Sequence, residues 1–245
     1  MSLSLAQLQR DYGHLGGGEL LGPMIRDVFP GRIALVSSFG AESAILAHMV
    51  ARIDPATAIL FVDTGRLFPE TLAYRDTLIE RLGLTNVRTV APSPSAIAAQ
   101  DPHGELYSIN SDACCEFRKV EVMEKGLRGF SAWITGRKRY HGGERSALAA
   151  VEHADWRIKV NPLAAWTPQQ LAEYFKTHGL PAHPLVAQGY PSIGCVPCTS
   201  QVAEGEDARA GRWRGQEKTE CGIHWSVDGK PIRPSSPSPS SAATG

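Results

Sequence analysis

The five cysteines of this chain fall into two pairs and one isolated residue. Cys114 and Cys115 are adjacent, and Cys195 and Cys198 form a CxxC pair. Two pairs of thiolates can supply the four soft ligands that a zinc ion or a 4Fe-4S cluster needs. Adjacent cysteines reach two irons of a cube more easily than one tetrahedral ion, so the spacing favours a cluster over zinc. Buried thiols without a ligand and a redox-active CxxC pair are the alternatives.

The fifth cysteine, Cys221, lies in the polar segment KTECGIH. A nucleophilic cysteine needs thiolate character and access to its substrate. Lys218 and His224 would favour the thiolate, Glu220 would oppose it, and Gly222 would let the backbone move. We therefore expect a mobile catalytic segment that closes over a substrate and then presents the cysteine to a partner. An incidental cysteine near the end of the chain is the alternative.

Two loops have the composition of phosphate- and ribose-binding turns. Ser37, Ser38 and Gly40 follow an apolar run and precede a helical pattern, and small residues with free amides at a helix N-terminus can bind an anion. No lysine follows the glycine, so this is not a Walker sequence. Asp63 follows the next apolar run, where a carboxylate commonly meets a ribose hydroxyl. A plain helix N-cap is the alternative for Asp63.

Basic residues cluster in the second half of the chain. A nucleotide that carries several negative charges needs guanidinium and ammonium groups of this kind. For each residue taken singly, a solvated surface charge is the alternative. The clustered positions are Arg118, Lys119, Arg137, Lys138, Arg139, Arg145, Arg209 and Arg212.

The elements that must position these residues follow from the hydrophobic pattern. Short apolar runs alternate with helical patterns, which predicts an α/β fold with a doubly wound, mostly parallel sheet. Ligands bind at the carboxyl ends of the strands in such sheets, and both loops lie there. The predicted strands are 33–37, 58–62, 86–90 and 133–135, and the predicted helices are 44–52, 70–82, 115–127 and 167–178.

The composition is that of an ordinary globular protein, with 42% hydrophobic and 20% charged residues. Lys+Arg and Asp+Glu both number 25, which gives no bulk electrostatic reason to expect binding to nucleic acid or to an anionic membrane. No apolar run approaches the length of a membrane span, and the N-terminus does not resemble a signal peptide. We therefore expect a cytoplasmic protein, in which five cysteines indicate metal binding or catalysis rather than disulfides.

Taken together, these segments resemble the adenylyl-sulfate/phosphoadenylyl-sulfate reductase family. The resemblance runs from Ile33 to His224, and the order and spacing of its motifs are specific. Many relatives read Ser-Phe-Ser-Gly in the first loop, whereas this chain reads Ser-Ser-Phe-Gly. The matching segments are SSFGAES, VDTGRLFPET, CCEFRKVE, ITGRKR, KVNPL, GYPSIGCVPCT, RAGRW and KTECGIH.

The resemblance implies a fold similar to that of the adenine nucleotide α-hydrolases, and it implies that Cys221 is the nucleophile. Family members with the CC…CxxC set act on adenylyl sulfate, and members without it act on the 3′-phosphorylated form. Adenylyl sulfate is therefore favoured, with phosphoadenylyl sulfate or both nucleotides as the alternative. The implied cluster ligands are Cys114, Cys115, Cys195 and Cys198, and the implied substrate-facing residues are Lys119, Arg137, Arg145, Arg209 and Arg212.

The mechanism that the resemblance implies has two stages. The Cys221 thiolate attacks the sulfur of the phosphosulfate, AMP leaves, and an S-sulfocysteine forms. A thioredoxin or a glutaredoxin-like dithiol then releases sulfite, so the cluster need not carry electrons. Lys119 lies one helical turn after Cys115 and could bridge cluster and substrate.

Two rival functions belong to other classes. One is an ATP-dependent thiolation or amidation ligase of the same fold with a zinc site, which would give Cys221 no clear role. The other is an iron–sulfur redox sensor or DNA-binding regulator, which the neutral charge and the lack of a helix-turn-helix pattern disfavour. For the reductase hypothesis, the sequence leaves open whether the protein forms a homo-oligomer.

We expect four parts along the chain. An N-terminal helical segment occupies 1–30, and a nucleotide-binding α/β domain with the iron–sulfur site occupies 31–212. A mobile catalytic segment follows in 213–226. The Pro/Ser-rich tail, 227–245, is expected to be disordered.

Overall fold

A six-stranded sheet forms the centre of the computed structural model, which describes residues 3–142, 145–216, 218 and 220–222. The strand order is β3-β2-β1-β4-β6-β5, and every neighbouring pair is parallel except β5 and β6. The doubly wound, mostly parallel sheet predicted from the sequence is therefore confirmed. The strands are β1 Ile33–Ser37, β2 Ala58–Val62, β3 Val87–Val90, β4 Ala132–Ile134, β5 Val151–Ala154 and β6 Arg157–Val160.

Helices cover both faces of this sheet. None of the described helices combines the length and apolar character needed to cross a bilayer. Short 3₁₀ turns occupy Arg139–His141, Pro184–Gln188 and Val196–Cys198. The α-helices are α1 Leu5–Tyr12, α2 Gly17–Pro23, α3 Ser43–Ile53, α4 Pro69–Leu82, α5 Pro94–Gln100, α6 Leu106–Ile109, α7 Ser111–Cys115, α8 Glu121–Gly126 and α9 Pro168–Thr177.

The central strands bury both of their faces. Every residue of β2 is buried, as expected for a parallel strand covered on both sides. Ile59 and Phe61 belong to the core beneath α2, α3 and α4, whereas Leu60 packs with Met123 of α8 on the opposite face. The alternation assigns each side chain to one face of the sheet, and the parallel pairing of β2 with β1 and β3 places the ends of all three strands at the same edge.

The helix that carries the adjacent cysteines begins earlier than the sequence predicted. The pattern indicated a helix over 115–127 that starts at the pair, but α7 begins at Ser111 and ends at Cys115. Asn110 causes the earlier start, because its side-chain oxygen accepts a hydrogen bond from the Ala113 amide at 3.0 Å. A π-helical turn, Glu116–Val120, then joins α7 to α8. Such turns widen a helix locally and recur at functional sites.

The sequence analysis did not predict β5 and β6. Both are four residues long and carry charged side chains, so their apolar signal is weak. Two of those charges are nevertheless buried, because Arg157 pairs with Asp155 and Lys159 pairs with Glu152 at 2.7 Å. The pairing partners, and not hydrophobicity, allow these residues to lie in a sheet.

The helical prediction for the N-terminal part can be compared with the structure, whereas the prediction for the C-terminal tail cannot. α1, α2 and a π-helical turn, Met24–Val28, occupy the N-terminal part that was expected to be helical. The predicted tail, 227–245, lies outside the described residues, as do parts of 213–226.

Candidate active site

A cleft of about 440 Å³ opens where β1, β2 and β4 end. Loops after these three strands form one wall, and residues 191–195 contribute to the other together with Ala208, Arg209, Arg212 and Cys221. This is the edge of a parallel sheet at which ligands bind. The cleft brings together the sequence-predicted residues Ser37, Ser38, Gly40, Lys119, Arg137, Arg145, Arg209, Arg212 and Cys221.

The loop after β1 is shaped by its serine and an internal aromatic residue. The Ser37 hydroxyl accepts a hydrogen bond from the Phe39 amide at 3.1 Å, and Phe39 has a positive φ of 48°. Its ring is fully buried against Phe61. A Cβ on Gly40 would lie 3.3 Å from the Ile193 carbonyl oxygen, so a larger residue would crowd the facing wall. The loop thereby directs the N-terminus of α3 into the cleft, where the helix dipole favours an anion.

Asp63 is not among the described residues that line the cleft. Its carboxylate accepts a hydrogen bond from the Gly65 amide at 2.8 Å, and Gly65 has a φ of +68°. The carboxylate therefore stabilises the turn after β2. A contact with a ribose hydroxyl stays a prediction.

Several lining residues were not selected from the sequence. Glu42 forms an ion pair with Lys138 and accepts a hydrogen bond from the Tyr140 hydroxyl at 3.0 Å. His141 lies beside them, with its Nδ1 3.0 Å from a guanidinium nitrogen of Arg145. Burial and the neighbouring Lys138, Arg145 and Arg209 lower the pKa of His141 to about 3, so the ring is neutral at pH 7. Two features of the sequence could have identified these residues. Glu42 is an acidic residue inside the SSFGAES loop, and Tyr140 and His141 are adjacent ring side chains directly after GRKR.

The basic residues at the far end of the cleft are held by the segment that contains Cys221. Arg145 makes a two-pronged ion pair with Glu220, with its Nη2 2.8 Å from Oε2. Arg209 lies 3.9 Å from the same carboxylate. Arg212 stacks over the ring of Trp213 at 4.5 Å and donates to the Cys198 carbonyl at 3.3 Å. These contacts connect the cleft to the CxxC turn.

The other four cysteines are buried and line a second, narrow cavity next to the cleft. The two pairs that are 80 residues apart in sequence therefore meet in space. The Cys195 sulfur lies 3.2 Å from the Thr64 hydroxyl. Among the described residues, no group of three or more His, Cys, Asp or Glu side chains is placed to hold a single metal ion. The cysteines that line this cavity are Cys114, Cys115, Cys195 and Cys198.

Lys119 lines both cavities, and its ammonium lies 3.8 Å from the Cys115 sulfur. Burial would lower the pKa of Lys119, but the sulfurs of Cys195, Cys115 and Cys221 raise it above the ordinary value. Burial and the neighbouring Cys115 raise the pKa of the Cys114 thiol to about 11. The charge of Lys119 and the ionisation of the neighbouring cysteines are therefore coupled.

Cys221 is half-buried in the wall of the cleft and packs with the cluster formed by Cys195, Cys198 and Trp213. Gly222 follows it with a φ of +75°, a conformation that favours glycine. His224, which the sequence analysis considered as an influence on the thiol, lies outside the described residues.

Comparison with known proteins gives a consistent result. A family profile described as the phosphoadenosine phosphosulfate reductase domain matches residues 32–201. The chain is 51% identical over 221 residues to the adenosine 5′-phosphosulfate reductase of Mesorhizobium japonicum, covering 90% of this chain and 87% of that protein. It is 39% identical over 226 residues to the phosphoadenosine 5′-phosphosulfate reductase of Gloeobacter violaceus, with 90% and 93% covered.

Solved structures agree on the fold. The phosphoadenylyl-sulfate reductase of Candida auris, crystallised as a phosphate complex, superposes with a TM-score of 0.68 at 26% identity and covers 82% of this chain and 99% of that one. The FMN adenylyltransferase of Candida glabrata superposes with a TM-score of 0.56 at 15% identity and covers 90% and 80%. The second likeness concerns the fold alone.

Proposed function

Because this chain belongs to the phosphoadenosine phosphosulfate reductase family, we propose that it reduces adenylyl sulfate to sulfite and AMP with Cys221 as the nucleophile. One observation carries the proposal. The isolated cysteine lines the same cleft as six lysine and arginine side chains, at the end where the four-cysteine cavity adjoins it. The relatives named adenosine 5′-phosphosulfate reductase, at 51% and 49% identity, support adenylyl sulfate as the substrate.

In the first step, the Cys221 thiolate attacks the sulfur of the bound phosphosulfate. A sulfur–sulfur bond forms, the bond from that sulfur to the bridging oxygen breaks, and AMP leaves with the electron pair. The product on the protein is an S-sulfocysteine. In the second step, a thiolate of a thioredoxin or a glutaredoxin-like dithiol attacks the Cys221 sulfur and expels sulfite. The partner's second thiol then resolves the mixed disulfide, so the dithiol supplies both electrons.

The difficulty of the first step is electrostatic, since an anion must approach an anion. Buried cations that face the cleft offset this repulsion most effectively where charge accumulates on the leaving oxygen. Lys119 and Arg212 lie at the end of the cleft next to the cysteines, and both are held by contacts to the cysteine turns. Their positions therefore do not have to reorganise when substrate binds.

The four buried cysteines suit a 4Fe-4S cluster. Their donor set consists of four thiols around one cavity whose described lining includes no carboxylate. When bound, the cluster would neutralise the crowded thiolates and set the electrostatic field at Lys119. Lys119 itself would carry that influence to the substrate, because its side chain lines the cleft as well. A thiolate nucleophile and a thiolate-bound cluster both need cysteines that are kept reduced, so the proposal includes a cytoplasmic location.

The decisive experiment uses protein purified without oxygen, adenylyl sulfate and reduced thioredoxin. We expect sulfite production, and after a brief exposure to substrate without thioredoxin we expect a sulfonate adduct on the Cys221 peptide by mass spectrometry. Cys221→Ser should abolish sulfite production and keep AMP binding. Sulfite production that survives in this variant would refute the mechanism, and protein without iron or labile sulfide would refute the cluster.

Phosphoadenylyl sulfate is the second candidate substrate. The Gloeobacter violaceus relative at 39% identity and the solved Candida auris structure are both named as reductases of this nucleotide. Steady-state rates with the two nucleotides separate the candidates. A higher kcat/KM for the 3′-phosphorylated form would replace our assignment of substrate without altering the role of Cys221.

A further inference from the structure

Glu220 lies behind the cationic end of the cleft: it is not among the described lining residues, but it pairs with two arginines that are. Its carboxylate is paired through both oxygens with Arg145, and Arg209 lies 3.9 Å away. The carboxylate is only 11% exposed, and Arg145 is 9% exposed. Burial opposes the charge, but Arg145, Arg209 and Arg137 hold the pKa of Glu220 below its ordinary value. An ionised carboxylate is therefore bound where the site gathers its guanidinium groups.

A sulfonucleotide needs the same guanidinium groups. A fork of two N–H donors binds a carboxylate, a phosphate or a sulfonate with the same geometry. Arg145 and Arg209 line the cleft, so an anion that enters the cleft and the Glu220 carboxylate would use the same donors. Both anions cannot hold Arg145 by its two-pronged face at once.

We propose that Glu220 is a positioning residue that stands in for the substrate anion. Its carboxylate pairs with Arg145 and Arg209, holds the adjacent Cys221 at the cleft, and is displaced when the phosphosulfate binds. The proposal rests on the proposed function only in naming the displacing anion. Because the two residues are neighbours, displacement of Glu220 is coupled to a shift of the nucleophile as the substrate enters.

A second anchor keeps the segment attached during this exchange. The Lys218 ammonium pairs with Asp112 at 2.7 Å and donates to the Ser111 carbonyl at 2.9 Å. Neither Asp112 nor Ser111 lines the cleft, so an entering anion does not compete for this contact. Cys221 is thus held between one ligand-sensitive ion pair and one that the ligand does not touch.

The test measures binding of ADP to the full-length, cluster-containing protein by calorimetry. ADP carries a phosphate where adenylyl sulfate carries a sulfate, and it offers no sulfur for Cys221 to attack. Removing an internal competitor raises the binding-competent fraction, so Glu220→Gln should bind ADP about tenfold more tightly than wild type. Glu206→Gln is the matched control, because Glu206 pairs with Arg214 outside the cleft. It should bind ADP like wild type.

A double variant shows whether the two anions share a guanidinium. In an Arg145→Gln background, Glu220→Gln should change ADP affinity less than about twofold, since the shared donor is gone. Equal affinity of wild type and Glu220→Gln would overturn the proposal, and so would weaker binding by the variant. The same gain in both backgrounds would also overturn it, because competition would then not involve Arg145.

These outcomes are separate from those of the proposed function. An enzyme that converts adenylyl sulfate to sulfite but shows no gain with Glu220→Gln contradicts the inference alone. A protein that shows the gain but produces no sulfite contradicts the proposed function alone.

Discussion

Arg118 and Lys119 are neighbours in the sequence, yet they lie in opposite surroundings. Arg118 is 3% exposed, and its guanidinium donates to the Asp101 carboxylate at 2.6 Å and to the Thr64 carbonyl at 2.8 Å. Lys119 is 7% exposed, and its ammonium contacts the Cys115 sulfur at 3.8 Å and lines two cavities. Both side chains line the four-cysteine cavity, but Arg118 is fixed by protein oxygens, whereas Lys119 also lines the cleft.

The difference shows what decides the role of a buried cation. Arg118 and Lys119 lie in the π-helical turn Glu116–Val120, where successive side chains point in different directions, and the two cations meet different partners. Arg118 points to the turn after β2 and connects it to the end of α5 through Asp101. Lys119 points to the cleft. A buried cation with oxygen partners on the protein holds the fold together, whereas one that faces the cleft is available to a substrate.

The largest effect is expected at Arg118. Arg118→Met leaves the Asp101 carboxylate buried without its closest cation, and breaking a buried pair in this way costs about 3–5 kcal/mol. Urea unfolding without oxygen, followed by circular dichroism, measures the free energy of unfolding. Arg66→Met is the matched control, since Arg66 lies 3.6 Å from the same carboxylate but is 30% exposed. We expect the control to cost less than about 1 kcal/mol, and equal losses in both variants would contradict the distinction.

A smaller effect on stability, but a clear loss of activity, is expected at Lys119. Met has a similar length without the charge, so Lys119→Met should fold and keep its four cysteines in place. Removing one preorganised charge from a developing anion lowers kcat by about 10²–10³-fold. The measurement is sulfite production from adenylyl sulfate at saturating substrate. A Lys119→Met enzyme with wild-type kcat would show that this cation has no part in the reaction.

The smallest expected effect is the contribution of the Asp101 charge to the pH dependence of stability. Burial would raise its pKa, but the Leu106 amide and Arg118 lower it below the ordinary value of 3.8. Its contribution to stability is therefore complete above that value and is lost as the pH falls through the lowered pKa. Asp101→Asn should lose less stability than wild type on acidification below about pH 4. Asp76→Asn, at a largely exposed carboxylate, is the control and should follow the wild-type slope.

The sequence predicted the central elements closely. The strands 33–37 and 58–62 have the predicted bounds, because continuous apolar runs of five residues between turn residues have few other solutions. The helix after Thr167 begins as predicted, with a capping box between Thr167 and Gln170. The pair β5 and β6 was missed, since buried Lys159 carries no hydrophobic signal and depends on Glu152 of the neighbouring strand.

The site was predicted less evenly than the fold. Nine of the ten catalytic and substrate-binding residues chosen from the sequence line the cleft, and Asp63 does not. The family resemblance, and not the pattern of basic residues, separated Lys119 from Arg118, and neither identified Glu42 and Lys138 as an ion pair in the cleft wall. These distinctions depend on which partner each charge meets, and those partners are distant in the sequence.

The sequence alone therefore determined four features: the central strands, the helix caps, the loops at the strand ends, and the grouping of the cysteines into two sequence pairs and one isolated residue. These depend on neighbours along the chain, where the backbone fixes the geometry. Tertiary structure alone decided that Glu220 pairs with Arg145 and that Arg118 pairs with a carboxylate. Lys119 contacts the Cys115 sulfur, as their spacing of one helical turn predicts. A charge acquires its role from the partner that folding brings to it, because buried charges are stable only when paired.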